Sequence, residues 1–198
     1  SESVPKKVEE ALQELKEKEV EGIILDLRNN SGGLVSSGIA VADSLLSEKP
    51  IVETKNRNGI KDAIISQKET SFDGPMVTLV NRGTASASEI LAGSLQDNGR
   101  SILMGEQTYG KGLIQSLKSL GEDSGIAITV ASYLTPNGNN IQGQGMTPDK
   151  SLDLPDLSEY GSSDDKWVRN AELYLESLLE KEEVLVKTNE LVNEGIQN

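Results

Sequence analysis

Histidine and cysteine are both missing from these 198 residues. Without an imidazole the chain holds no Ser-His-Asp triad. Without a thiol it has neither disulfides nor thiolate metal ligands. Structural and catalytic zinc sites draw on those two residue types, so no metal centre is expected. Aromatic residues make up only 3% of the chain, which leaves an aliphatic core. No run of 18 apolar residues occurs, so no membrane-spanning helix is expected. Cations are scarce relative to acids: 19 Lys and Arg against 32 Asp and Glu give a net charge of -13. That balance repels phosphate backbones and argues against a nucleic-acid partner, and its plainest effect is solubility.

The apolar 35% is enough for one folded domain with an appended element. Residues 4–19 place Val8, Ala11, Leu12 and Leu15 on one helical face, with Pro5 in the first turn. GIILDLR (22–28), PMVTLVN (75–81) and SILMG (101–105) read as short buried strands. Helices are expected at 34–47 and 87–98. Strand-like runs 51–56 and 60–66 flank Arg57-Asn58-Gly59, a hairpin signal. Residues 113–120 fit a helix through Leu113, Leu117 and Leu120, or a strand. A strand at 126–135, a long loop at 136–149 and an amphipathic helix at 164–184 complete the chain. Alternating strands and helices point to an α/β fold with a largely parallel sheet, flanking helices and a β-hairpin. The expected division is a core over residues 1–160 and a C-terminal helical extension over 161–198.

Two units share one plan: an apolar strand, a turn of small residues, then a helix. Their turns, NNSGG (29–33) and NRGTAS (81–86), would lie together at the carboxyl end of a parallel sheet, where such folds place their sites. Backbone N–H groups of Gly32 or Gly33 and of Ala87 would then be able to hold a developing oxyanion. Ser86 is a candidate nucleophile, but Ser86-x-x-Glu89 is also a capping box, and Thr84 and Ser88 offer rival hydroxyls. A serine nucleophile needs a base, and with histidine missing the next choice is a desolvated lysine. Lys111 stands 25 residues after Ser86, between two glycines. Its ordinary reading is a solvated surface lysine. Gln115, four residues on, is roughly 6 Å along from Lys111 on a helix and about 13 Å along on a strand. Asp26, Arg28, Glu89 and Asp97 read as ion pairs and helix-end charges. Gly105-EQTY-Gly110-Lys111 nearly matches a phosphate-binding loop, but Gly112 replaces the hydroxyl that would hold magnesium. On residues alone, a serine hydrolase, a binding module and a nucleotide-binding protein all remain open.

LDLRNNSGG, GTASASEILAGSLQDN and GEQTYGKGLIQS, in this order, resemble the carboxyl-terminal processing (tail-specific) Ser–Lys proteases. The resemblance covers about residues 8–155. It implies a layered core like that of crotonases and Clp-type proteases. It implies a Ser86 nucleophile, a Lys111 base, an assisting Gln115 and oxyanion donors at the Gly32–Gly33 turn and Ala87. It implies protein or peptide substrates cleaved near their C-termini and no cofactor. The expected compartment is the periplasm, another extracytoplasmic space or the thylakoid lumen. The family's PDZ domain has no counterpart among these residues, so a protease core without it is expected. Oligomeric state, including a homo-oligomer, stays open. Retinoid-binding repeats resemble the same fold, which keeps a non-catalytic module as the alternative.

Overall fold

A computed structural model describes residues 3–59, 61–121, 124–153 and 160–196, with side chains through residue 181 except those of Lys61 and Leu117. Ile60 and the Leu117 side chain, both used in the sequence reading, lie outside that set.

Helix α1 (Val4–Glu17) leads to β1 (Ile23–Asp26), α2 (Val35–Leu45), β2 (Pro50–Asn56), β3 (Lys61–Ile65) and β4 (Met76–Val80). Helix α3 (Ala87–Asp97), β5 (Ile102–Gly105), β6 (Leu113–Gly121), β7 (Ser124–Leu134), β8 (Lys150–Ser151) and α4 (Lys166–Ile196) follow. The strands form two sheets of four. One is parallel throughout, in the order β1-β4-β5-β8, and the other is antiparallel, in the order β3-β2-β7-β6.

The parallel sheet is the part the apolar runs foretold. All five residues of β4 are buried, and they face two cores in alternation. Met76 and Val80 join Leu12, Val41, Leu45, Leu91 and Leu95, which come from α1, α2 and α3. Val77 and Leu79 join Met104, Trp167, Ala171 and Leu175, the last three from α4. A strand covered on both faces has no need of polar residues, so it reads as a continuous hydrophobic run. Helix α3 touches β5 of the parallel sheet and β2 of the antiparallel one, so it packs against both sheets.

The antiparallel sheet is larger than the expected hairpin. Residues 113–121 resolve as strand β6, pairing with β7 through a bulge between Ile114 and Gln115. The choice between helix and strand stayed open in the sequence because Leu113 and Leu120 are both exposed on the strand, so neither period marks a buried face. The two-residue strand β8 follows directly on the expected loop at 136–149, where no element was expected. It forms because Leu152 N–H reaches Gly105 O at 3.0 Å and the Asp149 carboxylate accepts Leu103 N–H at 2.8 Å.

Trp167 anchors α4, with its indole N–H donating to Asp153 O at 2.7 Å. Trp167→Ala is expected to lower stability by about 3–5 kcal/mol. Thermal unfolding followed by circular dichroism measures this, and an unchanged midpoint would show that α4 does not belong to the core.

Candidate active site

The turn after β4 is built from its own polar groups. Thr84 is fully buried, and its hydroxyl donates to Leu27 O at 2.8 Å while accepting Asn81 N–H at 3.0 Å. Ser88 donates to Asn30 Oδ1 at 3.0 Å. Both rival hydroxyls are therefore bound into the scaffold. Ser86 is different. Its hydroxyl stands within capping-box reach of Glu89 N–H but lacks the geometry of a cap hydrogen bond. Its backbone sits at φ 59°, ψ -121°, a left-handed conformation that costs a serine about 1–3 kcal/mol. A sharp strand-to-helix turn of this kind lifts a side chain clear of the sheet.

The turn after β1 faces it. Asn30 O accepts Ala85 N–H at 3.0 Å. Gly32 (φ +88°) packs so closely that a Cβ there would lie 2.6 Å from Ala85 O and 2.9 Å from Ala87 N. Only glycine fits, and the expected meeting of the Gly32 turn with the Ser86 turn is realised. One expected donor is not available, however. Gly32 N–H already donates to Asn30 Oδ1 at 3.0 Å, because the asparagine side chain folds back over its own turn. Gly33 N–H and Ala87 N–H make no hydrogen bond among the described residues. Ala87 is the first residue of α3, where the helix dipole favours negative charge.

A single carboxylate holds this turn against the lysine segment. Glu89 is fully buried. Its Oε2 accepts Ser86 N–H at 2.9 Å and Lys111 N–H at 2.8 Å. Its Oε1 accepts Gly110 N–H at 2.7 Å and the Thr108 hydroxyl at 2.5 Å. The Ser86 and Lys111 nitrogens, sharing one oxygen, are no more than about 6 Å apart, the length of two hydrogen bonds end to end. Glu89 was read as a helix-end charge; it is instead a four-donor buried acceptor.

The Lys111 side chain is exposed, contrary to the expected desolvation. It opens into a slot of about 570 Å³. Ser31, Gly83, Ala85, Tyr109, Leu113 and Gln115 line it with the lysine. The slot is open to water, and no described residue covers the amine. Gln115 lines the same slot, but no hydrogen bond joins it to Lys111, nor Lys111 Nζ to Ser86 Oγ, among the described residues. The strand geometry of β6 keeps Gln115 apart from the lysine. A second cavity of about 220 Å³ lies behind the first turn, walled by Val4, Val8, Leu25, Leu34, Val41 and Leu91. Gly33, Ala87 and Ser88 also line it.

Comparison with known proteins identifies the family. The profile of Peptidase family S41 matches residues 1–152. The chain belongs to peptidase family S41. It is 52% identical over 153 residues to a carboxyl-terminal-processing protease of Synechocystis sp., covering 77% of this chain and 36% of that protein. It is 48% identical over 147 residues to a chloroplastic C-terminal processing peptidase of Tetradesmus obliquus, covering 73% and 32%. Among solved structures, the photosystem II D1 C-terminal processing protease superposes with a TM-score of 0.74 at 43% identity, over 77% of this chain and 40% of that one. The chain therefore spans about a third of the length of the curated relatives it matches.

The ion pair read for Asp26 and Arg28 is present in this S41 chain, but the distant partners that complete its cluster went unread in the sequence. Arg28, whose side chain is 2% exposed, pairs with Asp26 at 2.6 Å and Asp165 at 2.8 Å and lies 4.4 Å over the Tyr160 ring. Tyr160 Oη accepts Asn81 Nδ2–H at 3.0 Å, and Asn81 Oδ1 accepts the Asn29 and Gly83 N–H groups. Residues 137 positions apart meet here, so no local spacing reveals them. Burial alone would lower the Arg28 pKa, but the hydrogen bonds it donates to the two carboxylates outweigh it and the net shift is upward. Hydrogen bonding to Arg28 holds the Asp165 carboxyl at about 2, below its ordinary 3.8. The pair thus adds about 2 kcal/mol that is fully present above pH ~4 and fades as pH falls toward 2. Asp165→Asn is expected to be less stable at neutral pH and to lose less stability on acidification than the parent. Parallel pH–melting curves for the two proteins would refute the assignment.

Proposed function

We propose that this chain carries the catalytic centre of a serine endopeptidase that cleaves protein or peptide substrates near their C-termini through Ser86 and Lys111. The observation that carries the reading is the shared grip of Glu89 Oε2 on the Ser86 and Lys111 N–H groups. The names of its relatives, carboxyl-terminal-processing proteases, support the substrate class. The chemistry is assigned to residues 1–160, with 161–198 as a helical extension.

In this reading the neutral Lys111 amine takes the Ser86 Oγ proton as Oγ attacks the scissile carbonyl. Ala87 N–H and Gly33 N–H receive the oxyanion at the start of α3. The Lys111 ammonium then gives its proton to the leaving amine, and water, deprotonated by the same amine, releases the acyl group and restores Ser86. A docked substrate supplies the missing desolvation by covering the slot, since removing water from an amine favours its neutral form. The 220 Å³ apolar cavity beside Ala87 is sized for one aliphatic side chain next to the scissile bond. The compartment in this reading is extracytoplasmic or the thylakoid lumen; the printed location of one relative, chloroplastic, is compatible with the latter.

The exposed Lys111, unbonded to Ser86, favours a second reading: a peptide-binding module that does not turn over. A fluorophosphonate probe with intact-mass detection separates the two. The parent chain is expected to gain one adduct, on Ser86. Ser86→Ala and Lys111→Ala are expected to fold normally, to lose labelling and to cleave β-casein at least about 10³-fold more slowly. Unaltered cleavage by Ser86→Ala overturns the nucleophile.

A further inference from the structure

Another groove, of about 490 Å³, lies on the antiparallel sheet. Lys55 of β2 and Arg57 just after it line this groove with Leu113 of β6, Val130 and Leu134 of β7, and Asn140. Its charge runs against that of the chain. Acidic residues outnumber basic ones by 32 to 19 overall, yet among the described residues two cations and no carboxylate line the groove. Lys55 and Arg57 are both exposed, and neither side chain makes an ion pair or hydrogen bond among the described residues. Leu113 and Val130 are exposed as well. Leu113 lines this groove and the slot alike, so the two adjoin at that residue. The register makes the connection short, because Leu113 and Lys55 are both partners of Ser132, one on each side of β7. Lys111 to Leu113 is at most about 7 Å along the chain, and two strand spacings from Leu113 to Lys55 add about 10 Å.

We propose that Lys55 and Arg57 form a carboxylate site that holds the terminal carboxylate of the substrate chain. This deepens the peptidase reading and rests on it for the identity of the occupant. In that reading Lys111 gives its proton to the leaving amine, so the C-terminal fragment begins at Lys111. The cations lie within about 17 Å of that point, a span of about five extended residues. A chain end brings a full negative charge and two acceptor oxygens. The Arg57 guanidinium offers paired N–H donors to such a group, and the Lys55 ammonium adds a compact positive charge. Leu113, Val130 and Leu134 offer apolar contact to the last side chain. An internal segment crossing the same groove brings only neutral amides and leaves both cations unpaired. The distance from the chain end to the cut, rather than the sequence between them, is then what the groove selects.

The test is binding of an N-terminally fluorescein-labelled dodecapeptide of alanine, serine and valine to the Ser86→Ala chain, read by fluorescence anisotropy at low ionic strength. The peptide is compared as the free acid, as the C-terminal amide, and as an amide with glutamate in its last position. The free acid is expected to bind about three- to tenfold more tightly than either amide. Adding Lys55→Ala and Arg57→Ala to the same chain is expected to remove that preference. Equal affinity for acid and plain amide, a preference kept without the two cations, or no binding of the acid at millimolar concentration overturns the site. A glutamate amide that binds as tightly as the acid overturns the chain-end assignment and gives the groove to acidic side chains. The acid–amide comparison needs neither cation variant, so it decides the matter even where those variants fail to fold. Cleavage of the same peptides with Ser86 in place is scored separately by mass. The cut is expected about five residues from the free end, and losing the cations is expected to raise KM for the acid and spare kcat. A preference for the acid without cleavage strikes the peptidase reading and leaves the carboxylate site intact; cleavage without the preference does the reverse.

Discussion

A carboxylate sealed from water and surrounded by four donors fixes the geometry of this molecule's centre. Glu89 comes from the first turn of α3, yet three of its partners belong to the segment between β5 and β6. Burying an ionised carboxylate is costly unless its oxygens are satisfied. Each of the four hydrogen bonds to the charge is therefore worth more than a neutral one, and losing any leaves the charge exposed to a low-dielectric interior. The left-handed backbone at Ser86 persists because one of those bonds holds its N–H. The lysine segment is drawn to the same point by two others, at Gly110 and Lys111.

The rest of the fold supplies the setting for that contact. The parallel sheet brings the two small-residue turns to one edge, and Gly32 lets them touch. Arg28, Asn81 and Tyr160 brace the floor of the turns from the α4 side, joining the last helix to the first strand. The antiparallel sheet then swings β6 away, leaving open the slot that begins at Lys111. The two turns therefore meet at the edge of the parallel sheet, and the exposed Lys111 side chain lines the slot beside them.

Most of the parallel layer was legible in the sequence, because strands buried on both faces write themselves as unbroken apolar runs and their turns as glycine, asparagine and serine. The meeting of Gly32 with the Ser86 turn followed from those turns. Strand β6 was ambiguous because Leu113 and Leu120 are exposed and its pairing is set by β7, a tertiary choice. The role of Glu89 was hidden by a local alternative: a glutamate three residues after a serine already has a sufficient explanation as a cap. Half of that cap does form, at Ser86 N–H, while the same side chain reaches 22 residues onward to Lys111. Lys111's exposure was misjudged because glycine neighbours indicate a tight backbone and say nothing about what lies above the side chain. Asp165 and Tyr160 gave no signal, since an aspartate and a tyrosine in a polar stretch look like surface.

Amide hydrogen exchange of single residues in the parent protein and in Glu89→Gln is the most direct test of the central contact. Slow exchange is expected at Ser86, Gly110 and Lys111 in the parent. All three are expected to lose protection together in the variant, while Val77 and Leu79 in β4 keep theirs. Fast exchange at Ser86 and Lys111 in the parent, or protection lost at one and kept at the other, would contradict the claim that one carboxylate holds both.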